Sequence, residues 1–417
     1  MQMVRLKDIC VGKGEYGIAA SAEDFASNKY RYLRITDISD FGELLNNDCK
    51  SVSCDSCEKY LLSEDEIVFA RTGNSTGRAF FYEKKYGPLV YAGFLIKFHI
   101  DRNKVNPKFL KYYTISKTYK DWIANGSTGS TRGNMSEGDF ADMPVFLPSR
   151  QVQDSLVAMM EPIDDKINNN TAICSDLEGM AKLLYDYWFV QFDFPDENGK
   201  PYKSSGGKMV WNDELKREIP EGWEIKRLID IESNIITGKT PSTKDARNYN
   251  GNIPFITIGD IRGNMFVVST EQTLSEEGAS SQKKKYIPEE SLCVTCIASP
   301  GLVGFTTQRS QTNQQINSVV FTKDYNKPVL YFSIKQFFDT TVGAKTGNTF
   351  ANMNKEDFSN IEILYSEDVA KMYYRKIWGV FDKIQLLLEE NQQLASLRDF
   401  LLPMLMNGQV KIKNTDA

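Results

Sequence analysis

Leu156-Val-Ala-Met-Met160-Glu-Pro-Ile163-Asp-Asp-Lys-Ile167 and Tyr373-Tyr-Arg-Lys-Ile377-Trp-Gly-Val380-Phe-Asp-Lys-Ile384 carry apolar side chains alternately four and three residues apart. The stripes continue through Cys174, Leu177, Ala181 and Leu184 in the first segment, and through Leu387, Leu394 and Leu401 in the second. They keep one heptad register, so Ile167 corresponds to Ile384 and Leu177 to Leu394. Such spacing over several heptads predicts long helices packed against another helix. Polar residues enter the seam at Asn170, Asn391 and Arg398, where they cost stability but fix register. At 1.5 Å per residue, each segment predicts a rod about 55–60 Å long.

Each helix follows a copy of the same region. Arg34-Ile-Thr-Asp-Ile38 matches Thr257-Ile-Gly-Asp-Ile261. Glu66-Ile-Val-Phe-Ala70, followed by Gly73 and Gly77, matches Leu292-Cys-Val-Thr-Cys296, followed by Gly301 and Gly304. Asn134-Met135 with Asp139-Phe140 matches Asn352-Met353 with Asp357-Phe358. Three weak matches in one order predict a duplicated domain. Short runs rich in β-branched and aromatic residues predict strands at 68–70, 80–82, 90–98, 253–258 and 318–321. Helical spacing predicts helices at 108–119 and 328–338. Pro195-Asp-Glu-Asn-Gly-Lys-Pro201 and Ser204-Ser-Gly-Gly207 have turn and linker chemistry, so the chain reverses and the helices pair antiparallel.

The expected fold is therefore α+β: two mainly β domains with small helices, separated by a pair of long antiparallel coiled-coil helices. The segments are a first domain (1–148), first helix (149–190), junction (191–222), second domain (223–366), second helix (367–408) and tail (409–417).

The 417 residues are 41% hydrophobic and 25% charged, a composition of soluble globular protein rather than disorder. The simplest expected location is the cytoplasm, with no membrane contact. The net charge of −5 does not point to DNA. However, residues 149–194 hold 3 basic and 8 acidic residues, while 1–148 hold 20 and 19 and 223–366 hold 15 and 15. Near-neutral domains permit a basic face. The seven cysteines do not form a secreted disulfide framework, and plain, mostly buried thiols are expected. Zinc at Cys49, Cys54 and Cys57 lacks a second pair, and Cys293 and Cys296 would point to opposite faces of a strand. No metal is expected. The one histidine, His99, reads as a partly buried strand residue.

Motifs of catalysis fail on context. Gly12-Lys-Gly-Glu-Tyr-Gly17 lacks the buried strand and amphipathic helix of a dinucleotide site. Gly238-Lys-Thr240 has Ser233 where a phosphate loop needs its first glycine. Pro195-Asp196 with Glu224-Ile-Lys226 imitates a nuclease set, but its first pair stands in a turn. No catalytic residue is expected.

Several strings resemble the specificity subunit of Type I restriction–modification systems, and the resemblance covers essentially the whole chain. They are Arg31-Tyr-Leu-Arg-Ile-Thr-Asp-Ile38, Ile236-Thr-Gly-Lys-Thr-Pro241, Ile253-Pro-Phe-Ile-Thr-Ile-Gly-Asp-Ile261 and Asn313-Gln-Gln-Ile-Asn317. Trp188-Phe-Val-Gln-Phe-Asp-Phe194, Ile219-Pro-Glu-Gly-Trp223 and Leu401-Leu-Pro-Met-Leu-Met-Asn-Gly408 add to them. The resemblance implies a non-catalytic subunit with two target-recognition domains, each reading half of a split, asymmetric site in double-stranded DNA. The helices would set the spacer and dock two methyltransferase (modification) subunits, joined by translocase–nuclease (restriction) subunits. S-adenosylmethionine, ATP and magnesium would belong to those partners, with no cofactor here.

Base edges are read by Arg, Lys, Asn, Gln, Ser and Thr. The candidate DNA-binding residues lie in polar, glycine-bearing loops. In the first domain they are Arg71, Thr72, Asn74, Ser75, Thr76, Arg78, Ser130, Thr131, Arg132 and Asn134. In the second they are Gln308, Arg309, Asn313, Gln314, Gln315, Lys345, Thr346 and Asn348. Two alternatives stand beside this reading: a protein-interaction scaffold without DNA, and the recognition subunit of a related modification or nuclease system outside Type I.

Overall fold

A computed structural model describes residues 2–46, 48–126, 134–344 and 352–406. The chain folds as two compact units, residues up to Asp165 with the C-terminal segment from Ala395, and residues Lys166–Leu394.

In the first unit, strands Glu15–Tyr16, Leu95–His99, Glu66–Ala70 and Ala79–Phe81 form an antiparallel sheet in that spatial order. A second sheet has the order Glu23–Asp24, Lys50–Val52, Tyr30–Leu33 and Leu89–Tyr91, the last pair parallel. Gln2–Arg5 pairs with Pro144–Leu147 just before the first long helix. Phe69, Phe98, Tyr113 and Phe140 share one core with Leu156, Val157, Met160, Leu402 and Leu405 of the long helices.

The second unit repeats the plan. Ile235–Thr237, Ile316–Val319, Leu292–Thr295, Val303–Thr306 and Phe266–Val267 form a five-stranded sheet. Tyr249–Ile256 lies between Gln272–Leu274 and, in parallel, Gln311–Thr312. Glu224–Arg227 pairs with Glu362–Tyr365 before the second long helix. The repeated sequence motifs have structural jobs. The backbone N–H groups of Arg34 and Thr257 donate to Asp37 and Asp260 at 2.8 and 2.7 Å, closing the same turn. Ser136 and Asn354 cap equivalent short helices, and Phe140 and Phe358 are fully buried.

The long helices are Arg150–Tyr185 and Glu367–Met406. In the second unit they run antiparallel. Asn170 donates to Asn391 at 2.9 Å, Cys174 lies 3.8 Å from the Ile384 carbonyl, and the Tyr373 hydroxyl donates to Ala181 at 2.8 Å. In the first unit the polar seam is charged. Asp164 meets Lys111 at 2.7 Å, the Tyr112 hydroxyl at 3.0 Å and Arg398 at 3.4 Å. Burial alone would raise the Asp164 carboxyl, but Lys111, then Arg398 and the Tyr112 hydroxyl, outweigh it and hold it below the ordinary range.

Several expectations need correction. Cys54 and Cys57 are joined by a disulfide rather than left as thiols, because the turn at Asp55-Ser56 brings their Cα atoms to 5.3 Å. Cys293 and Cys296 do face opposite ways, into different cores. The strand expected over 90–98 is two strands, Leu89–Tyr91 and Leu95–His99, in different sheets. The central strands also align one residue differently from the sequence match. Ala70 corresponds to Thr295 rather than Cys296, since Ala70 pairs with Leu95 as Thr295 pairs with Ile316. Both strands are buried at every position, so no alternation of exposed and buried residues sets the register, although a slip of one residue exchanges the two faces.

Candidate nucleic-acid interface

At one end of the main sheet in each unit, separate segments converge on a shared pattern of backbone hydrogen bonds. In the first unit Gly17 N–H donates to Leu95 and Ile18 N–H to Tyr91. Arg71 N–H donates to Phe94, and Met135 N–H donates to Arg71. In the second unit Gly238 donates to Ile316, Lys239 to Thr312, Cys296 to Gln315 and Met353 to Cys296. The paired bonds differ little in length: 3.1 and 3.0 Å, 3.0 and 2.9 Å, 3.1 and 2.8 Å, and 2.9 Å in both. They establish correspondences that the sequence left hidden: Gly17 with Gly238, Arg71 with Cys296, and Ala92-Gly-Phe94 with Asn313-Gln-Gln315.

Glycine is required where these segments cross. A Cβ on Gly17 would lie 2.3 Å from the Ala92 carbonyl oxygen, and one on Gly238 would lie 2.1 Å from that of Asn313. The backbones can approach only because both residues lack a side chain.

On this common frame the side chains differ. In the first unit the Arg71 guanidinium lies 5.2 Å over the Tyr16 ring, and its Nε, shielded from solvent, has no hydrogen-bond partner. Among the described residues Arg71 makes no ion pair. Phe94 stands beside it, 58% exposed. Thr72 is hydrogen-bonded to Asn134, and Glu137 accepts from Gly14 N–H at 3.0 Å. In the second unit the Arg71 position holds the buried thiol of Cys296, which burial pushes up to about 11. Asn313 and Gln315 bond to each other at 3.0 Å, and Thr240 bonds to Gln314. One end offers a cation over a tyrosine ring, with an exposed phenylalanine on the adjoining loop, and the other a set of amides.

The family model for the Type I restriction modification DNA specificity domain matches residues 1–178 and again 220–392. The chain belongs to this family. It is 30% identical to the Type I restriction enzyme HindI specificity subunit of Haemophilus influenzae, over 88% of this chain and 93% of that one. To the MjaIX specificity subunit of Methanocaldococcus jannaschii it is 24% identical, over 75% and 71%. A solved Type-I restriction-modification system S subunit from M. genitalium shares the fold at 14% identity, with a TM-score of 0.53 over 97% of this chain and 95% of that one. The protein is thus a Type I DNA specificity subunit with two copies of the recognition domain. No helix among its described residues is long and apolar enough to cross a membrane.

In this specificity subunit the expected first-domain residues largely gather at the convergent end. Thr72 and Thr76 are partly exposed, and Asn74 and Asn134 are exposed. Ser75 is buried at 8% exposure, and Arg78 is bound to Asp40 at 2.7 Å and to the Ile38 carbonyl at 3.1 Å. The second-domain set divides. Asn313, Gln314 and Gln315 lie at the convergent end, beside Cys296. Gln308 and Arg309 lie past the opposite end of the central strand, about 16 Å away at 3.3 Å per residue, where Arg309 stacks 3.7 Å over Tyr286. Ser130, Thr131, Arg132, Lys345, Thr346 and Asn348 lie outside the described residues. Sequence reading missed Tyr16, Phe94 and the exposed Lys239. A signal for Phe94 existed in Gly93, which interrupts the apolar run just before it.

Proposed function

We propose that the convergent end of each domain meets double-stranded DNA, so that the first domain reads one half of a split, asymmetric site and the second reads the other. The observation that carries this reading is the shared backbone frame with unlike side chains: Arg71 against Cys296, Phe94 against Gln315, Tyr16 against Thr237. Equal scaffolds with unequal surfaces suit two unequal half-sites. Arg71, Thr72, Asn74, Thr76 and Asn134 are the first-domain candidates, with Asn313, Gln314 and Gln315 in the second. Lys239, an exposed cation at the same end, suits a phosphate.

The helices of 36 and 40 residues set the unread spacer and dock two methyltransferase subunits, to which translocase–nuclease subunits add. Their heptad seam and the membership of the family support this role. The chain itself is non-catalytic and holds no cofactor, while S-adenosylmethionine, ATP and magnesium act in its partners.

The test is to sequence modified bases in a host expressing this subunit with its methyltransferase. A split asymmetric motif should appear, and replacing residues 1–148 with another reader should alter one half only. Changes in both halves, or unchanged methylation from an assembled complex, would refute independent reading.

A further inference from the structure

We propose that Phe94 is a specificity-determining residue of the first recognition domain, contacting the 5-methyl group of a thymine while Arg71 beside it takes the edge of a neighbouring guanine. This rests on the reading that the convergent end meets DNA, and it names the bases recognised there.

Phe94 is a large apolar side chain held out in water by a loop with little freedom. Ala92 N–H donates to Leu33 at 3.0 Å, Gly93 N–H to Ile18 at 2.7 Å and Leu95 N–H to Ala92 at 2.8 Å, while the Phe94 carbonyl accepts from Arg71 N–H at 3.1 Å. The ring therefore does not reach the core by a local shift of its own loop. The corresponding loop of the second domain carries Asn313, Gln314 and Gln315 on three equivalent backbone bonds: Asn313 N–H to Ile256, Ile316 N–H to Asn313 and Cys296 N–H to Gln315. Amides pair with the donors and acceptors of base edges, whereas a phenyl ring has none to offer. The apolar group on a base edge in the major groove is the thymine methyl.

Arg71 supports the assignment by position and by state. Tyr16, 44% exposed, lies under its guanidinium, and among the described residues no carboxylate neutralises it. A guanidinium held in this way is suited to the paired acceptors O6 and N7 of guanine. An arginine and an apolar ring on adjacent backbone fit a guanine and a thymine close together in one half-site.

The experiment uses the subunit assembled with its methyltransferase and duplexes of its own methylated motif. Each thymine of the first half-site is replaced in turn by deoxyuridine, which removes the methyl and nothing else. One replacement should weaken binding by wild type about fourfold, the value of one buried methyl-sized group. Phe94→Ala should weaken binding to the unsubstituted duplex by a similar factor and be indifferent to that same replacement. Phe94→Leu should retain part of the sensitivity. Preference at the second half-site should stay unchanged in both variants, which shows that they assemble.

The proposal is overturned if the first half-site holds no thymine, if wild type tolerates every deoxyuridine, or if Phe94→Ala keeps wild-type sensitivity. Exchange of residues 1–148 separates the two levels. If the exchange moves one half of the motif while deoxyuridine is silent, Phe94 is wrongly assigned and the two-reader function stands. An exchange that moves neither half removes the function on which the assignment rests.

Discussion

The two recognition domains are most alike where their sequences look least alike. The loops Ala92-Gly-Phe94 and Asn313-Gln-Gln315 share no residue, yet each is tied to the end of the central strand by the same hydrogen bond, and the residue that follows each accepts from a corresponding glycine, Gly17 or Gly238. The glycines keep the backbones close, and the variable side chains project from a frame that does not have to change with them. In a DNA specificity subunit, this lets one domain design serve unrelated half-sites. A residue's importance to the frame and its importance to recognition are then separable properties.

The largest expected effect breaks the shared part. Gly17→Ala and Gly238→Ala each force a carbon to within 2.3 and 2.1 Å of a backbone carbonyl oxygen, where no side-chain rotation gives relief. Each should destabilise its own domain by about 3 kcal/mol or more. Protease susceptibility and denaturant midpoints, followed separately for each domain, should show similar losses. Either alanine tolerated within about 0.5 kcal/mol would mean that the backbone junction yields, and the comparison would lose its common element.

A second contrast runs along the helix pair. The seam of the second unit joins Asn170 to Asn391, whereas that of the first places Asp164 among Lys111, Tyr112 and Arg398. Asp164→Asn removes the shared, most buried counter-charge of two cations, leaving Lys111 to Glu83 and Arg398 to Glu43 and Asp399, and should cost about 3 kcal/mol. The native carboxyl is held below its unfolded value, so its contribution is fully present above about pH 4 and is lost as pH falls through the lower folded value. Acid unfolding of the first unit should therefore shift less steeply with pH in the variant. A variant with unaltered stability and acid response would show that the charged seam is no stronger than the amide one.

The helices and the duplication were legible because both rest on repetition: a stripe at alternating spacings of four and three, and three motifs in the same order. The fold class followed from them. The site was only half legible. Arg71 and Asn134 stand in polar, glycine-bearing loops and could be picked by composition. Phe94 could not, because it reads as one more residue of an apolar strand broken only at Gly93, and the switch of sheets at Ala92 depends on partners at Leu33 and Ile18 far away in the chain. The same non-locality hid the split of the second set, since Gln308 and Gln315 are seven residues apart in sequence but flank opposite ends of a strand. It also hid the disulfide, which depends on a turn rather than on cysteine count.

The smallest effect sharpens the divergent part. Arg71 and Cys296 occupy one position in the two domains, each donating its N–H to the adjacent loop and accepting that of Met135 or Met353. If the frame is common and only the side chains read DNA, Arg71→Ala should cost about 1–3 kcal/mol of discrimination at one base pair of the first half-site. It should leave the second half-site unchanged. Cys296→Ala removes a buried neutral thiol and should cost stability of about 1 kcal/mol without altering any base preference. Competition binding against single-base variants of the motif, at two salt concentrations, distinguishes the possibilities. Uniform weakening on all sequences with a shallower salt dependence would make Arg71 a phosphate contact. The cation would then position the first domain rather than read with it, and its discrimination would have to come from the neighbouring loops.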